Sequence, residues 1–170
     1  MNNRNIKSAI KFIPLTFIVV VIVLFFNNTN ALDNKTSTEQ KAPQKNIVYP
    51  SFFSDKEPLS LTKLSGQKYV LSFFSTWCGY CMKEYADFEK IYNKIPIYGV
   101  LWQDDPENLR DLLSKTTNPF KNIGLDTNGA ISAFFEIRAI PQTFVIDEKG
   151  RIIFHKMGYF DSTELLKFFE

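Results

Sequence analysis

Hydrophobic and polar positions divide the chain into three stretches. Phe12 to Phe26 is apolar except at Pro14 and Thr16, and Asn27, Asn28, Thr29 and Asn30 then restore polarity abruptly. From 27 to 46 the chain is rich in Asn, Lys, Thr, Ser and Gln without an apolar period, so nothing there supports packing. Beyond that, apolar runs alternate with turn residues. Tyr69 to Ser75 is aromatic and aliphatic, and too continuous for an edge strand, so it predicts a buried central strand. After Cys81, the residues Met82, Tyr85, Phe88, Ile91 and Tyr92 recur at helical spacing, with Lys83, Glu84, Asp87, Glu89 and Lys90 between them. Cys78 therefore falls at a helix N-terminus.

The pattern continues with Ile97 to Trp102 as a second buried strand. Asp104-Asp105-Pro106 then supplies an acidic cap and a first-turn proline for a helix whose inward face is Leu109, Leu112 and Leu113. Ile123 to Asp126 predicts a short strand and Gly129 to Phe135 a helix. Thr143 to Asp147 and Ile152 to Lys156 predict a hairpin joined by Glu148-Lys149-Gly150, and Leu165, Leu166 and Phe169 a closing amphipathic helix. This order specifies an α/β domain, a mixed sheet with helices on both faces. The segment Phe52 to Leu64 has a weak pattern and is expected to cross the sheet edge without an assigned element. The resulting division is 1–26 signal anchor, 27–46 flexible tether and 47–170 catalytic domain.

At 170 residues there is room for one ordinary core, and 45% hydrophobic residues suffice to bury it. A net charge of +2 with scattered basic residues argues against a nucleic-acid partner. Arg4, Lys7 and Lys11 precede the first apolar run, which marks it as an export segment whose basic end stays in the cytoplasm. Thr29-Asn30-Ala31 is a mediocre cleavage site and no cysteine follows to accept lipid. A retained transmembrane anchor is thus favoured over a cleaved signal helix. The expected location is the inner membrane, single-pass, with the catalytic domain in the periplasm.

The chain has two cysteines, Cys78 and Cys81, in Cys78-Gly79-Tyr80-Cys81. A disulfide framework bridges distant segments and a structural zinc site takes about four ligands, whereas only His155 is left to join this pair. A helix N-terminus lowers the pKa of a thiol placed on it, so the pair suits disulfide exchange in which Cys78 attacks and Cys81 resolves. An inert structural bridge is the competing interpretation. Ile140-Pro141, between a helix and a strand, suits a cis peptide opposite the cysteines, where backbone groups could pair with an extended substrate. No cofactor is needed.

Trp77-Cys78-Gly79-Tyr80-Cys81 together with Ile140-Pro141 resembles the thioredoxin superfamily from about Tyr49 to the end. Tyr98-Gly99-Val100-Leu101-Trp102-Gln103-Asp104-Asp105, Asn118-Pro119-Phe120 and Ile140 to Asp147 with Gly150 resemble its membrane-anchored DsbE/CcmG branch. The resemblance implies a thioredoxin-like fold and reduction of the haem-attachment disulfide of apocytochrome c, in cytochrome c maturation. It also implies re-reduction by a membrane electron-donor protein of DsbD/CcdA type. Trp77, Gly79, Tyr80, Ile140 and Pro141 are the substrate-contacting residues it suggests. The sequence departs from the pattern at Gly79-Tyr80, which is familiar from a periplasmic isomerase. Ser72 and Ala86 stand where cytoplasmic thioredoxins have an aspartate and a proline. Glu84, three residues after Cys81, or Asp104 is expected to relay a proton to Cys81, against the alternative of a solvated carboxylate. His155 is expected to be a surface strand residue. The competing functions are an isomerase or oxidase, and a non-catalytic tethered binding module or chaperone.

Overall fold

The computed structural model describes Phe17, Val20, Gln40, Lys41 and residues 46–170. The signal anchor expected over 1–26 and most of the tether over 27–46 lie outside the described residues. Phe17 and Val20 are helical and exposed, and belong to a unit separate from the one spanning Glu39–Glu170. Among the described residues, no helix is long and apolar enough to cross a membrane.

Among the described residues, eight strands run in chain order: β1 (Gln40–Lys41), β2 (Val48–Tyr49), β3 (Leu59–Ser60), β4 (Tyr69–Phe74), β5 (Ile97–Trp102), β6 (Ile123–Asp126), β7 (Gln142–Ile146) and β8 (Arg151–Met157). Helix α1 (Gly79–Ile91) joins β4 to β5 and α2 (Pro106–Lys115) joins β5 to β6. The main sheet has the order β1-β8-β7-β4-β5-β6, parallel from β4 through β6 and antiparallel elsewhere. All six residues of β4 are buried, as its unbroken apolar run requires of a central strand. Asp105 caps α2 through Glu107 N–H at 2.9 Å, with Pro106 at its first position.

Of the helices expected on both faces, the two α-helices share one face and the other carries a 3₁₀ helix over Ser132–Phe135. The crossovers β4-α1-β5 and β5-α2-β6 step the same way across the sheet, so a shared right-handed sense lays both α-helices on one face. That face buries Val70, Phe74, Phe88, Ile91, Leu101, Leu109 and Leu165. The other face buries Tyr49, Leu59, Leu71, Phe73, Phe135 and Phe144 beneath the β2–β3 ribbon and a 3₁₀ turn over Ser132–Phe135. The helix expected over Gly129 to Phe135 is thus only that short turn, ended by Glu136 in the left-handed region. The closing helix is also 3₁₀, over Ser162–Phe168, which still buries Leu165.

The unassigned segment does cross the sheet edge. Phe52 N–H donates to Ile123 O and Leu125 N–H to Pro50 O, each at 2.8 Å, so Pro50 to Phe52 covers the free side of β6. Gln40 and Lys41, inside the expected tether, pair with Ile152 and Arg151 at the opposite edge.

Tyr49 lies fully buried against Gly124, where a Cβ would overlap its own. Gly124→Ala is therefore expected to cost about 1–3 kcal/mol, read as a lower urea midpoint.

Candidate active site

Cys78 and Cys81 form a disulfide at the start of α1. Cys78 is the N-cap, and its Sγ accepts from Cys81 N–H at 3.2 Å, so one of the helix's unpaired amides points at this sulfur. No acidic side chain sits in the first turn to offset the positive helix end. Both are largely buried, but Cys78 keeps 9% of its surface whereas Cys81 keeps 1%, so the first lies nearer the surface. Trp77 and Tyr80 flank the pair and are both exposed, at 61% and 63%.

The turn from β4 into α1 is fastened from β5. Asp104 Oδ2 accepts from both the backbone N–H and the hydroxyl of Thr76 at 2.6 Å, while Oδ1 accepts from Asp105 N–H at 2.8 Å and Asn108 Nδ2 at 2.9 Å. Ser75 Oγ donates to Trp102 O, and Trp77 Nε1 donates to Gln103 O at 3.3 Å. Burial pushes the Asp104 pKa up, but the bonds from Thr76, Asn108 and Asp105 outweigh it and hold it below the usual carboxylate value. A carboxylate so held stays ionised and fully engaged. Asp104 is an anchor for Thr76, which removes the ground for casting it as a proton relay.

The Ile140-Pro141 peptide is cis, and the Ile140 carbonyl oxygen lies 3.9 Å from Cys78 Sγ. The structure thus brings Trp77, Cys78, Gly79, Tyr80, Cys81, Ile140 and Pro141 to one end of the sheet.

Glu84 lies one turn of α1 beyond Cys81 and is 1% exposed, although its spacing had placed it among the polar positions of the helix. Its Oε2 accepts from Thr143 Oγ1 at 3.1 Å and Ser72 Oγ at 3.4 Å, two residues paired across β4 and β7. Its Oε1 has no hydrogen-bond partner among the described residues. Burial, against those two hydroxyls, pushes the Glu84 pKa from 4.5 up to about 8. The alternative of a solvated carboxylate is excluded by this burial. Sequence reasoning missed the hydroxyl pair, although Ser72 and Thr143, polar residues inside otherwise apolar runs, were the signal. It also missed Gln142 and the partner it gives His155, whose Nε2 is 2.8 Å from Gln142 Oε1.

A disulfide on a helix N-terminus, rimmed by exposed aromatics and facing a cis-proline turn, defines a thiol:disulfide oxidoreductase with a thioredoxin-like fold. The Redoxin family model matches residues 37–167, and the chain belongs to that family. The thiol:disulfide interchange protein DsbE of Pseudomonas aeruginosa is 26% identical over 153 residues, covering 89% of this chain and 84% of that protein. Among solved structures, StoA from Bacillus subtilis superposes with a TM-score of 0.62 at 26% identity, covering 75% of this chain and all of that one. The thioredoxin domain of a Bacteroides vulgatus thiol-disulfide oxidoreductase gives a TM-score of 0.65 at 21% identity, over 80% of this chain and all of that one.

The buried acid makes stability depend on pH in a definite sense. The folded chain holds a proton on Glu84 up to about pH 8 that the unfolded chain releases near 4.5. Its contribution is therefore complete below about 4.5 and is lost as pH rises to about 8. Glu84→Gln removes this loss, so the melting temperature of the oxidised variant should gain on the parent between pH 5 and 9. The underlying gain in unfolding free energy should reach the order of a few kcal/mol at the alkaline end.

Proposed function

We propose that this enzyme is a membrane-tethered reductant of protein disulfides outside the cytoplasm, acting on the haem-attachment cysteines of apocytochrome c. The observation that carries the mechanism is the inequality of the two sulfurs: Cys78 at the rim beneath a helix amide, Cys81 buried behind it. In the dithiol form, the Cys78 thiolate attacks a substrate sulfur, forms a mixed disulfide and expels one substrate thiolate. Cys81 then gives its proton to the ionised fraction of Glu84 present near neutrality and attacks Cys78 Sγ, and Glu84 passes that proton on to the departing substrate thiolate. The mixed disulfide breaks, the second substrate thiolate leaves, and both substrate thiolates take up protons. The enzyme is left with the Cys78–Cys81 disulfide, and a membrane dithiol carrier of DsbD/CcdA type returns the two electrons. A Glu84 pKa of about 8 suits a group that must release and accept a proton near neutrality.

Trp77, Gly79, Tyr80, Ile140 and Pro141 would contact the substrate. The position of the Ile140 carbonyl beside Cys78 supports docking of an extended chain along this turn. Likeness to DsbE supports the cytochrome substrate and a periplasmic site, and the basic and apolar residues at the N-terminus support a single-pass inner-membrane anchor. A second reading rests on StoA, as similar in identity as DsbE: the same chemistry applied to other extracytoplasmic disulfides.

Substrate trapping separates the two. Cys78→Ala is expected to abolish turnover, whereas Cys81→Ala should accumulate mixed disulfides through Cys78. Mass spectrometry of the trapped species should find haem-attachment cysteine pairs, and their absence would favour the second reading. Glu84→Gln should slow reduction with a changed pH profile between pH 6 and 9, and an unaltered profile would remove Glu84 from the chemistry.

A further inference from the structure

Gln142 opens β7 immediately after Pro141, and its side chain is 2% exposed. The side chain folds back over the turn: its Nε2 donates to the Ala139 carbonyl at 2.9 Å, spanning Ile140 and Pro141. With the amide nitrogen given to a carbonyl, Oε1 must accept, so the contact at 2.8 Å makes His155 Nε2–H the donor and fixes the neutral imidazole tautomer. The imidazole is itself held in place. The β7–β8 register sets His155 opposite Phe144, and the two rings stack at 4.2 Å with 5° between planes. Gly158 N–H donates to Pro141 O at 2.8 Å, so β8 grips the same turn through its backbone. Packing alone would be met by an apolar side chain at 142. A buried amide bonded at both ends adds a fixed orientation, and losing one bond leaves a buried polar atom unpaired.

We propose that Gln142 and His155 are a positioning pair that fixes the Ala139–Pro141 turn against Cys78 and so sets affinity for polypeptide substrates. The proposal rests on substrate docking at Pro141. His155 touches neither sulfur, and its effect passes through Gln142 to Ala139 and from there to the Ile140 carbonyl beside Cys78.

The test compares insulin, a disulfide-bonded polypeptide, with dithiothreitol, which is too small to use the docking turn. His155→Leu keeps an apolar group over Phe144 but cannot donate, whereas His155→Gln can. For His155→Leu the KM for insulin should rise about three- to tenfold, with kcat and the rate of reduction of the enzyme by dithiothreitol unchanged. His155→Gln should restore the parent KM. Gln142→Met, which fills similar space but cannot donate to Ala139, should raise KM likewise and serves if the leucine variant is unstable. Pro141→Ala tests docking by itself. If it raises KM while His155→Leu and Gln142→Met do not, the positioning pair is refuted and docking stands. If no variant raises KM, docking fails and the pair with it. A fall in the dithiothreitol rate matching the loss with insulin would show a general structural role and also overturn the proposal.

Discussion

Everything at this site depends on how the turn from β4 into α1 is held, because that turn determines where the helix amides point. Asp104 does the holding with four hydrogen bonds, two of them to Thr76, the second residue before Cys78. The helix end can act on a sulfur only if the sulfur stays within the first turn, where the field is strongest. One carboxylate kept charged by its donors therefore stabilises the geometry in which another group, the Cys78 thiol, can ionise.

Glu84 is the opposite case, a carboxyl kept neutral by its surroundings. Two hydroxyls from the middle of the sheet are too few to replace water around an anion, so burial prevails. The two acids both follow the disulfide in the chain and carry pKa values moved in opposite directions. That separation gives one a structural task and leaves the other able to exchange a proton.

The elements around the cysteines were readable from sequence because strong local signals agreed there: an unbroken apolar strand, a helical repeat, and a proline and acidic cap at α2. Which helix covers which face was not readable, since strand order decides where crossover helices fall and periodicity does not encode strand order. The two 3₁₀ segments carry apolar spacing close to an α-helix's, and only their length and hydrogen bonding separate them. Of the residues at this end of the sheet, the disulfide pair Cys78 and Cys81 was legible from spacing. Gln142, Thr143 and Ser72 were not, because their contacts join residues 12 to 71 positions apart in the chain.

The cover that Pro50 to Phe52 lays along β6, with β1 capping part of β8, bears on the company this enzyme keeps. Open strand edges recruit other extended chains, and unfolded polypeptides are rich in them. A catalyst that handles such chains risks becoming a template for their aggregation. With β6 covered by Pro50 to Phe52 and part of β8 covered by β1, and with β8 carrying Arg151 and Lys156, the sheet offers less open edge for another extended chain to join.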